Sequence, residues 1–173
     1  MFQTLIGKLR RLKWKSILIQ LLIVILVIGG VRMWQQRDAV SGTAPMIVDQ
    51  SLEGASIDLA DYRGKPVLVH FWATWCPVCR LENDSIDAIA NDHAVISIAS
   101  WSEGAEDVAR FMAENQLSMP VIIDPDGTWA SLYGVRAVPA SYLIDGQGEI
   151  RFIETGYTTE VGLRLRLWWL ENS

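Results

Sequence analysis

The sequence has few of the residues that bind metals or cross-link a chain, with two cysteines and two histidines among 173 residues. Structural zinc needs four ligands, usually supplied as two pairs, and this chain has one Cys-x-x-Cys pair. A disulfide across two intervening residues closes a very short loop and restrains the unfolded chain little. Because half of the residues are hydrophobic, a packed core does not depend on such a bridge. The sequence thus favours a chemical role for the pair.

The N-terminal segment lacks acidic residues, and the rest of the chain has few basic ones. Before Ile17 there are five Lys or Arg residues and no acid, whereas from Val40 onward 8 Lys and Arg accompany 19 Asp and Glu. Nucleic acid is bound by clustered Lys and Arg, so the acidic body argues against such a partner.

Charged residues are also absent between Lys15 and Arg32, where the sequence is SILIQLLIVILVIGGV. Trp14 and Trp34 flank this run and, at 1.5 Å per residue, would lie about 30 Å apart in a helix. That separation matches the two aromatic belts of a bilayer. The basic flank on the N-terminal side predicts a cytoplasmic N-terminus and an exported body.

We therefore predict a basic cytoplasmic segment at 1–15, a transmembrane anchor at 16–34, a linker at 35–44 and a folded domain at 45–173. A cleaved signal peptide is the alternative. It is less consistent with the sequence, because the apolar run is longer than a usual signal core. In addition, Pro45 directly follows the only small-residue site, SGTA.

Beyond the linker, strand and helix patterns alternate. Apolar runs at Val67–Ala73 and Ala94–Ser100 predict strands buried on both faces, and a helix is predicted from Pro77 to about Ala90. A C-terminal helix follows, with apolar Val161, Leu165, Trp168 and Trp169. The order β-α-β-α-β and then β-β-α predicts an α/β fold, a mixed central sheet flanked by helices on both faces.

The Cys-x-x-Cys pair lies at the junction of a predicted strand and helix. Pro77 suits the first helical position, which leaves Cys76 at the helix N-terminus. Unpaired backbone N–H groups and the helix dipole favour a thiolate there, and the thiolate is the reactive form. Cys79, nearly one turn later, is close enough to bond to Cys76. Copper(I) binding by two thiolates remains an alternative to redox chemistry.

The segment FWATWCPVC, followed about sixty residues later by VPASYLID, resembles the thioredoxin superfamily. The resemblance is closer to its membrane-tethered, exported branch: the TlpA/ResA-like proteins of cytochrome c maturation and the ScsD-like proteins of bacterial copper-stress operons. It covers roughly Pro45 to Ser173. It implies a thioredoxin-like fold and a redox-active disulfide, with Cys76 as nucleophile and Cys79 as resolving thiol.

The same resemblance implies a surface for substrates. Pro139 matches the cis-proline that packs against the active-site disulfide in this family. The backbone of Val138 would then be free to pair with an extended substrate segment. Trp75 and Pro77 flank the nucleophile and shape its surface.

Two features depart from cytoplasmic thioredoxins: His70 and the dipeptide Pro77–Val78. His70 stands where they carry a buried aspartate, and a hydrogen-bonded core histidine is the simpler interpretation than a proton carrier. Glu82 matches a glutamate of the ResA-like group. If its carboxylate is partly buried, it could accept the proton of the Cys79 thiol. The alternative is a solvated acid on the face of the helix. Between the cysteines, Pro77 and Val78 include no histidine, which favours a reductase, while the cation of Arg80 favours the opposite.

The sequence thus predicts a protein-disulfide oxidoreductase anchored in the bacterial inner membrane, with its catalytic domain in the periplasm and no bound cofactor. Its substrates would be disulfide-containing periplasmic proteins, in a copper-stress or cytochrome c maturation context. A DsbD-like transmembrane reductase would supply the electrons. The alternatives are a disulfide-forming oxidase and a non-enzymatic Cu(I)-binding protein.

Overall fold

The computed structural model describes residues 19–24, 26–27, 30 and 40–173. The chain divides into two compact units, Met1–Arg37 and Asp38–Ser173. The described residues of the first unit are helical, and their large apolar side chains, such as Leu22 and Leu26, are exposed. No helix within the described residues is both long and apolar enough to span a bilayer. The predicted segment 1–15, part of the predicted anchor 16–34 (residues 16–18, 25, 28–29 and 31–34) and the first half of the linker, 35–39, lie outside these residues.

The second unit is built on a six-stranded mixed sheet in the order β1-β8-β7-β4-β5-β6. Strands β4, β5 and β6 are parallel, and β7, β8 and β1 join them by antiparallel pairing. A separate hairpin is formed by β2 and β3. The strands are β1 Gly42–Thr43, β2 Val48–Gln50, β3 Ser56–Asp58, β4 Val67–Trp72, β5 Ala94–Ser100, β6 Val121–Asp124, β7 Ala140–Ile144 and β8 Glu149–Thr155.

Four α-helices follow one another through this unit. They are α1 Pro77–Ala90, α2 Ala105–Glu114, α3 Thr128–Leu132 and α4 Glu160–Glu171, and a short 3-10 helix covers Leu59–Tyr62. The mixed sheet and the strands predicted at Val67 and Ala94 are confirmed, as is the helix that begins at Pro77. Gly42 and Thr43, which we assigned to the linker, pair with β8.

The central strand β4 positions the functional region because it is buried along its whole length. Its alternate side chains enter two cores: Leu68 and Trp72 join one with both cysteines, while Val69 and Phe71 join the other. A strand packed on both faces has little freedom to shift. The residues that follow Trp72 are therefore held in a fixed place.

The predicted C-terminal helix is present, but the apolar residues named for it are not the ones that the core buries. Leu163, Leu167 and Leu170 are its buried residues, whereas Val161, Leu165, Trp168 and Trp169 are exposed. The helix has apolar residues on two opposite sides, each with i, i+4, i+7 spacing, and the leucine side joins the core that contains both cysteines. Ion pairs flank the buried row: Arg164 binds Asp92 and Glu160 on one side, and Arg166 binds Glu154 on the other.

Candidate active site

Both cysteines lie at the start of α1, directly after the buried strand β4. Cys76 is the N-cap residue, its Sγ accepting a hydrogen bond from the backbone N–H of Cys79 at 3.1 Å, and Pro77 occupies the first turn. The two cysteines form a disulfide, with Cα atoms 5.3 Å apart. Amide N–H groups at a helix N-terminus stabilise a negative charge. A reduced Cys76 would therefore be held as a thiolate, the form that attacks disulfides.

A loop from the other side of the sheet approaches the disulfide. The Val138–Pro139 peptide bond is cis, and the carbonyl oxygen of Val138 lies 3.7 Å from Cys76 Sγ. The Pro139 carbonyl accepts a hydrogen bond from the Gly156 N–H at 2.9 Å, which ties the loop to the end of β8. The structure thus brings Val138 and Pro139 against the nucleophile, as the resemblance implied.

The side chains around Cys76 form an exposed rim. Trp75 is 59% exposed although its indole N–H donates to the Trp101 carbonyl at 2.9 Å, so the ring is held in place while open to a partner. Pro77 and Val78 are also exposed. Cys76 itself is nearly buried. A partner must therefore contact this rim to reach the sulfur.

A groove of about 290 Å³ runs from Trp75 along α2. On its wall the Thr74 hydroxyl donates to Asp107 at 2.5 Å, and this bond holds the pKa of the Asp107 carboxyl below its usual value. The Arg80 guanidinium lies over the Phe111 ring, 5.2 Å from its centroid. The groove therefore offers fixed charges of both signs beside the disulfide.

Glu82 is buried beneath the first turns of α1, three residues after Cys79. The pKa of its carboxyl is raised to about 7, chiefly by burial; the Thr158 N–H, donating to Oε1 at 3.3 Å, lowers it, and nearby Glu154 raises it. A carboxyl with a pKa near neutrality can both accept and return a proton. The structure thus gives Glu82 the partly desolvated environment that a proton acceptor requires.

His70 is a core histidine. Its Nδ1 is 2.9 Å from Ser141 Oγ, and burial lowers its pKa to about 3, with Asn83 acting in the opposite direction. The imidazole is therefore neutral at physiological pH, and its low pKa makes it a weak base there. Leu68 and Trp72, two residues before and after it on β4, pack with Cys79, so the ring faces the same core.

Three contacts at the site were not predicted from the sequence. The Trp101 carbonyl fixes Trp75, Asp107 binds Thr74, and Asn83 lies beside His70. Asn83 had a signal, since a polar residue four positions after Cys79 falls on the buried side of the helix. The other two depend on loops that meet only in the folded chain.

Comparison with known proteins identifies the family. The model of the AhpC/TSA family matches residues 40–153. The chain belongs to the AhpC/TSA family. Among its relatives, the thiol-disulfide oxidoreductase ResA of Geobacillus thermodenitrificans is 34% identical over 133 residues, covering 75% of this chain and 76% of that protein. The thiol:disulfide interchange protein DsbE of Xylella fastidiosa is 32% identical over 149 residues, 79% of this chain and 73% of that one.

A solved structure agrees with these relatives. A secreted Mycobacterium tuberculosis disulfide oxidoreductase, homologous to Escherichia coli DsbE, is 27% identical with a TM-score of 0.63, covering 72% of this chain and 96% of that one. The fold is thioredoxin-like. This AhpC/TSA-family protein is a thiol-disulfide oxidoreductase of the ResA/DsbE type, with Cys76 and Cys79 as its CxxC disulfide.

We predict that Glu82→Gln changes stability in a pH-dependent way. Below pH 4.5, the ordinary pKa of a glutamate, Glu82 is protonated in both the folded and the unfolded chain. As the pH rises toward 7, the unfolded chain loses this proton and the folded chain keeps it. The wild type therefore loses unfolding free energy relative to the variant across this window, by up to about 3 kcal/mol. Urea denaturation of the disulfide form at pH 4 to 8 measures the difference.

The matched control is Asp84→Asn, which removes an acid from the exposed side of the same helix. A constant difference between wild type and Glu82→Gln across this pH range would show that the carboxyl does not titrate as its burial requires.

Proposed function

We propose that this protein is a membrane-anchored reductase that acts on disulfides of exported proteins in the bacterial periplasm. The observation that carries the proposal is the Cys76–Cys79 disulfide at a helix N-terminus, faced by the cis Val138–Pro139 loop. This arrangement stabilises a thiolate and leaves a backbone segment beside it for an extended partner.

The catalytic cycle follows from the positions of the two sulfurs. In the reduced protein the Cys76 thiolate attacks one sulfur of a substrate disulfide; the substrate bond breaks, and its other sulfur leaves as a thiolate that takes a proton. The deprotonated Cys79 then attacks Cys76 Sγ and releases the second substrate thiol. Two electrons have passed to the substrate, and the Cys76–Cys79 disulfide has formed.

Glu82 would take the proton from Cys79 before the second step. It lies one helical turn beyond Cys79 on the buried side of α1, and its pKa of about 7 suits proton exchange near neutral pH. His70 is less suited, because its imidazole has a pKa of about 3. The buried carboxyl thus supports the resolving thiol, while the helix N-terminus supports the attacking one.

Substrates would dock on the rim around Cys76. The Val138 backbone would pair with an extended segment of the substrate, while Trp75 and Pro77 would contact its side chains. Pairing through the backbone favours no particular sequence. The proposed substrates are accordingly proteins that present a disulfide in a locally extended or unfolded segment.

The proposed location rests on the N-terminal sequence. The described helical residues between 19 and 30 expose their apolar side chains, as a lipid-facing helix does. The basic residues before Ile17 would keep the N-terminus in the cytoplasm, which puts the catalytic domain in the periplasm. The Mycobacterium tuberculosis relative is likewise a secreted protein.

Because the periplasm is kept oxidising, a reductase there needs an electron supply. By family resemblance, a DsbD-like transmembrane reductase would fill that role.

The substrates would be either copper-stress partners or cytochrome c apoproteins. The Pro-Val dipeptide between the cysteines favours the copper-stress partners. A disulfide-forming oxidase would use the same residues in the opposite direction. A Cu(I)-binding protein would use the two thiols and would not need the cis-Pro139 loop.

The mechanism predicts that Cys79→Ala traps substrates. Cys76 can still attack, but nothing resolves the mixed disulfide, so thiol-sensitive adducts should accumulate on nonreducing gels of membranes from cells that express the variant. The double variant Cys76→Ala/Cys79→Ala is the control and should show none. Absence of adducts from the single variant would contradict the proposed order of attack.

A second prediction concerns the release step. Glu82→Gln should slow release of a model peptide from its mixed disulfide with Cys76 by about 100-fold at neutral pH, the usual contribution of a positioned base. It should also remove the rate increase near pH 7. Stopped-flow measurement of peptide release gives both, with Asp84→Asn as the control. An unchanged rate and pH profile would assign Glu82 a purely structural role.

A further inference from the structure

The C-terminal helix exposes an apolar surface, which Phe152 covers in part at Trp169. We call it the α4 outer face. Its members are Val161, Leu165, Trp168 and Trp169, which are 68%, 61%, 59% and 44% exposed. They lie at positions i, i+4, i+7 and i+8, opposite the buried leucine row. Two tryptophans beside Leu and Val on one helix face are typical of a helix at a lipid interface.

The three arginines around this face are paired with four carboxylates. Arg164 is paired with Asp92 and Glu160, and Arg166 with Glu154. Arg151, whose guanidinium lies 5.9 Å from the Trp169 ring centroid, is paired with Asp145. A partner selected by charge would find little to bind here. A partner would instead bind by burying the apolar side chains of this face, and a neutral lipid surface can do so.

The chain enters the folded domain beside this helix. Strand β1 pairs with the first residues of β8, Gly42 opposite Ile150. The same β8 strand contacts α4, because the Phe152 ring lies 5.6 Å from the Trp169 ring. The residues that lead from the proposed anchor therefore reach the domain at the edge where Trp169 packs.

The two tryptophans lie at the end of the domain away from the disulfide. Along α4, Thr158 at its start donates to Glu82 near the CxxC, whereas Glu171 at its end contacts His93, just before β5. The strand registers agree, because Val67, at the far end of β4 from Cys76, pairs with Ile144, and Ile144 pairs with Ile150. The point of entry and the Trp pair thus share one end.

The connecting chain is short. Seven residues, 35–41, separate Trp34 from β1, and fully extended they span at most about 25 Å. If Trp34 marks the bilayer interface, the entry edge of the domain cannot leave the lipid surface by more than this distance. Tethering at such a range gives a high effective concentration, so even a weak surface contact is populated.

We propose that the α4 outer face rests on the lipid surface beside the anchor, with Leu165, Trp168 and Trp169 in the interface. This inference rests on the membrane anchor of the proposed function. The contact involves neither the CxxC nor the Pro139 loop, and the Trp pair lies at the opposite end of the domain. It would therefore turn the disulfide away from the bilayer, toward substrates in the aqueous phase.

The test uses the full chain, labelled with 5-fluorotryptophan, in phosphatidylcholine nanodiscs with and without a doxyl-labelled lipid. Single Trp→Phe variants assign the ¹⁹F signals of the eight tryptophans. Trp168 and Trp169 should lose at least about twofold more intensity than Trp75, because an interfacial helix is buried several ångströms into the headgroup region. Trp75 is the matched control, since it is as exposed as Trp168 but lies beside the CxxC.

Trp14 and Trp34 separate failure of this inference from failure of the anchor. Quenching at these two, with Trp168 and Trp169 no more affected than Trp75, would keep the anchor and overturn the docking. Absence of quenching at all four would overturn both. A third outcome would assign the face to contact with a second copy and also overturn the docking. In that case the Trp168 and Trp169 signals would shift with the number of chains per disc but would not be quenched by the doxyl lipid.

A substitution on the same face completes the test. Leu165→Gln should reduce the quenching of Trp168 and Trp169. Leu132→Gln, which changes a half-exposed apolar residue on α3, should leave that quenching unchanged. Equal quenching in the two variants would show that the apolar face is not what contacts the lipid.

Discussion

The hydrogen bond from the Cys79 N–H to Cys76 Sγ is the contact on which the rest of the site depends. It marks Cys76 as the residue that begins α1, with its sulfur against the unpaired amides of the first turn. The sulfur keeps this place because β4 is packed on both faces and Pro77 starts the helix without needing a hydrogen bond. The fold thus gives a thiolate at Cys76 its stabilising partners before any substrate arrives.

Burial acts on the two titratable groups behind the disulfide in opposite ways. It raises the pKa of Glu82, which favours the protonated carboxyl, and lowers the pKa of His70, which favours the neutral imidazole. Both shifts come from the same physical cause, the cost of a charge in an apolar core. At neutral pH the carboxyl alone can exchange a proton. A buried acid costs stability when it ionises, so the chain gives up some folding free energy by keeping Glu82 in the core.

The central part of the fold could be predicted from the sequence because its signals are local. The apolar run at β5 and the Cys-Pro junction at α1 each depend on a few adjacent residues. The helix α4 was different, since its two apolar sides give no local reason to prefer one of them. The choice comes from tertiary packing, in which Leu163, Leu167 and Leu170 join the core that contains both cysteines. The two-residue strand β1 likewise exists only through its pairing with β8.

At the site, the residues named from resemblance lie together, but the contacts that hold them could not be predicted. The carbonyl of Trp101 fixes the Trp75 ring across 26 positions of sequence, and Thr158 reaches Glu82 from the far end of the chain. Such contacts join separate loops and leave no pattern in either one. Sequence therefore identifies the reacting atoms, and the structure shows what orients them.

The reduction potential of Cys76–Cys79, measured by equilibrating the purified chain with dithiothreitol or glutathione, tests the central claim most directly. A protein that donates electrons should have a potential near or below about −250 mV, comparable with the ~−270 mV of thioredoxin. A potential near the ~−120 mV of a strong exported oxidant would contradict the account, because the pair would then form disulfides in its partners.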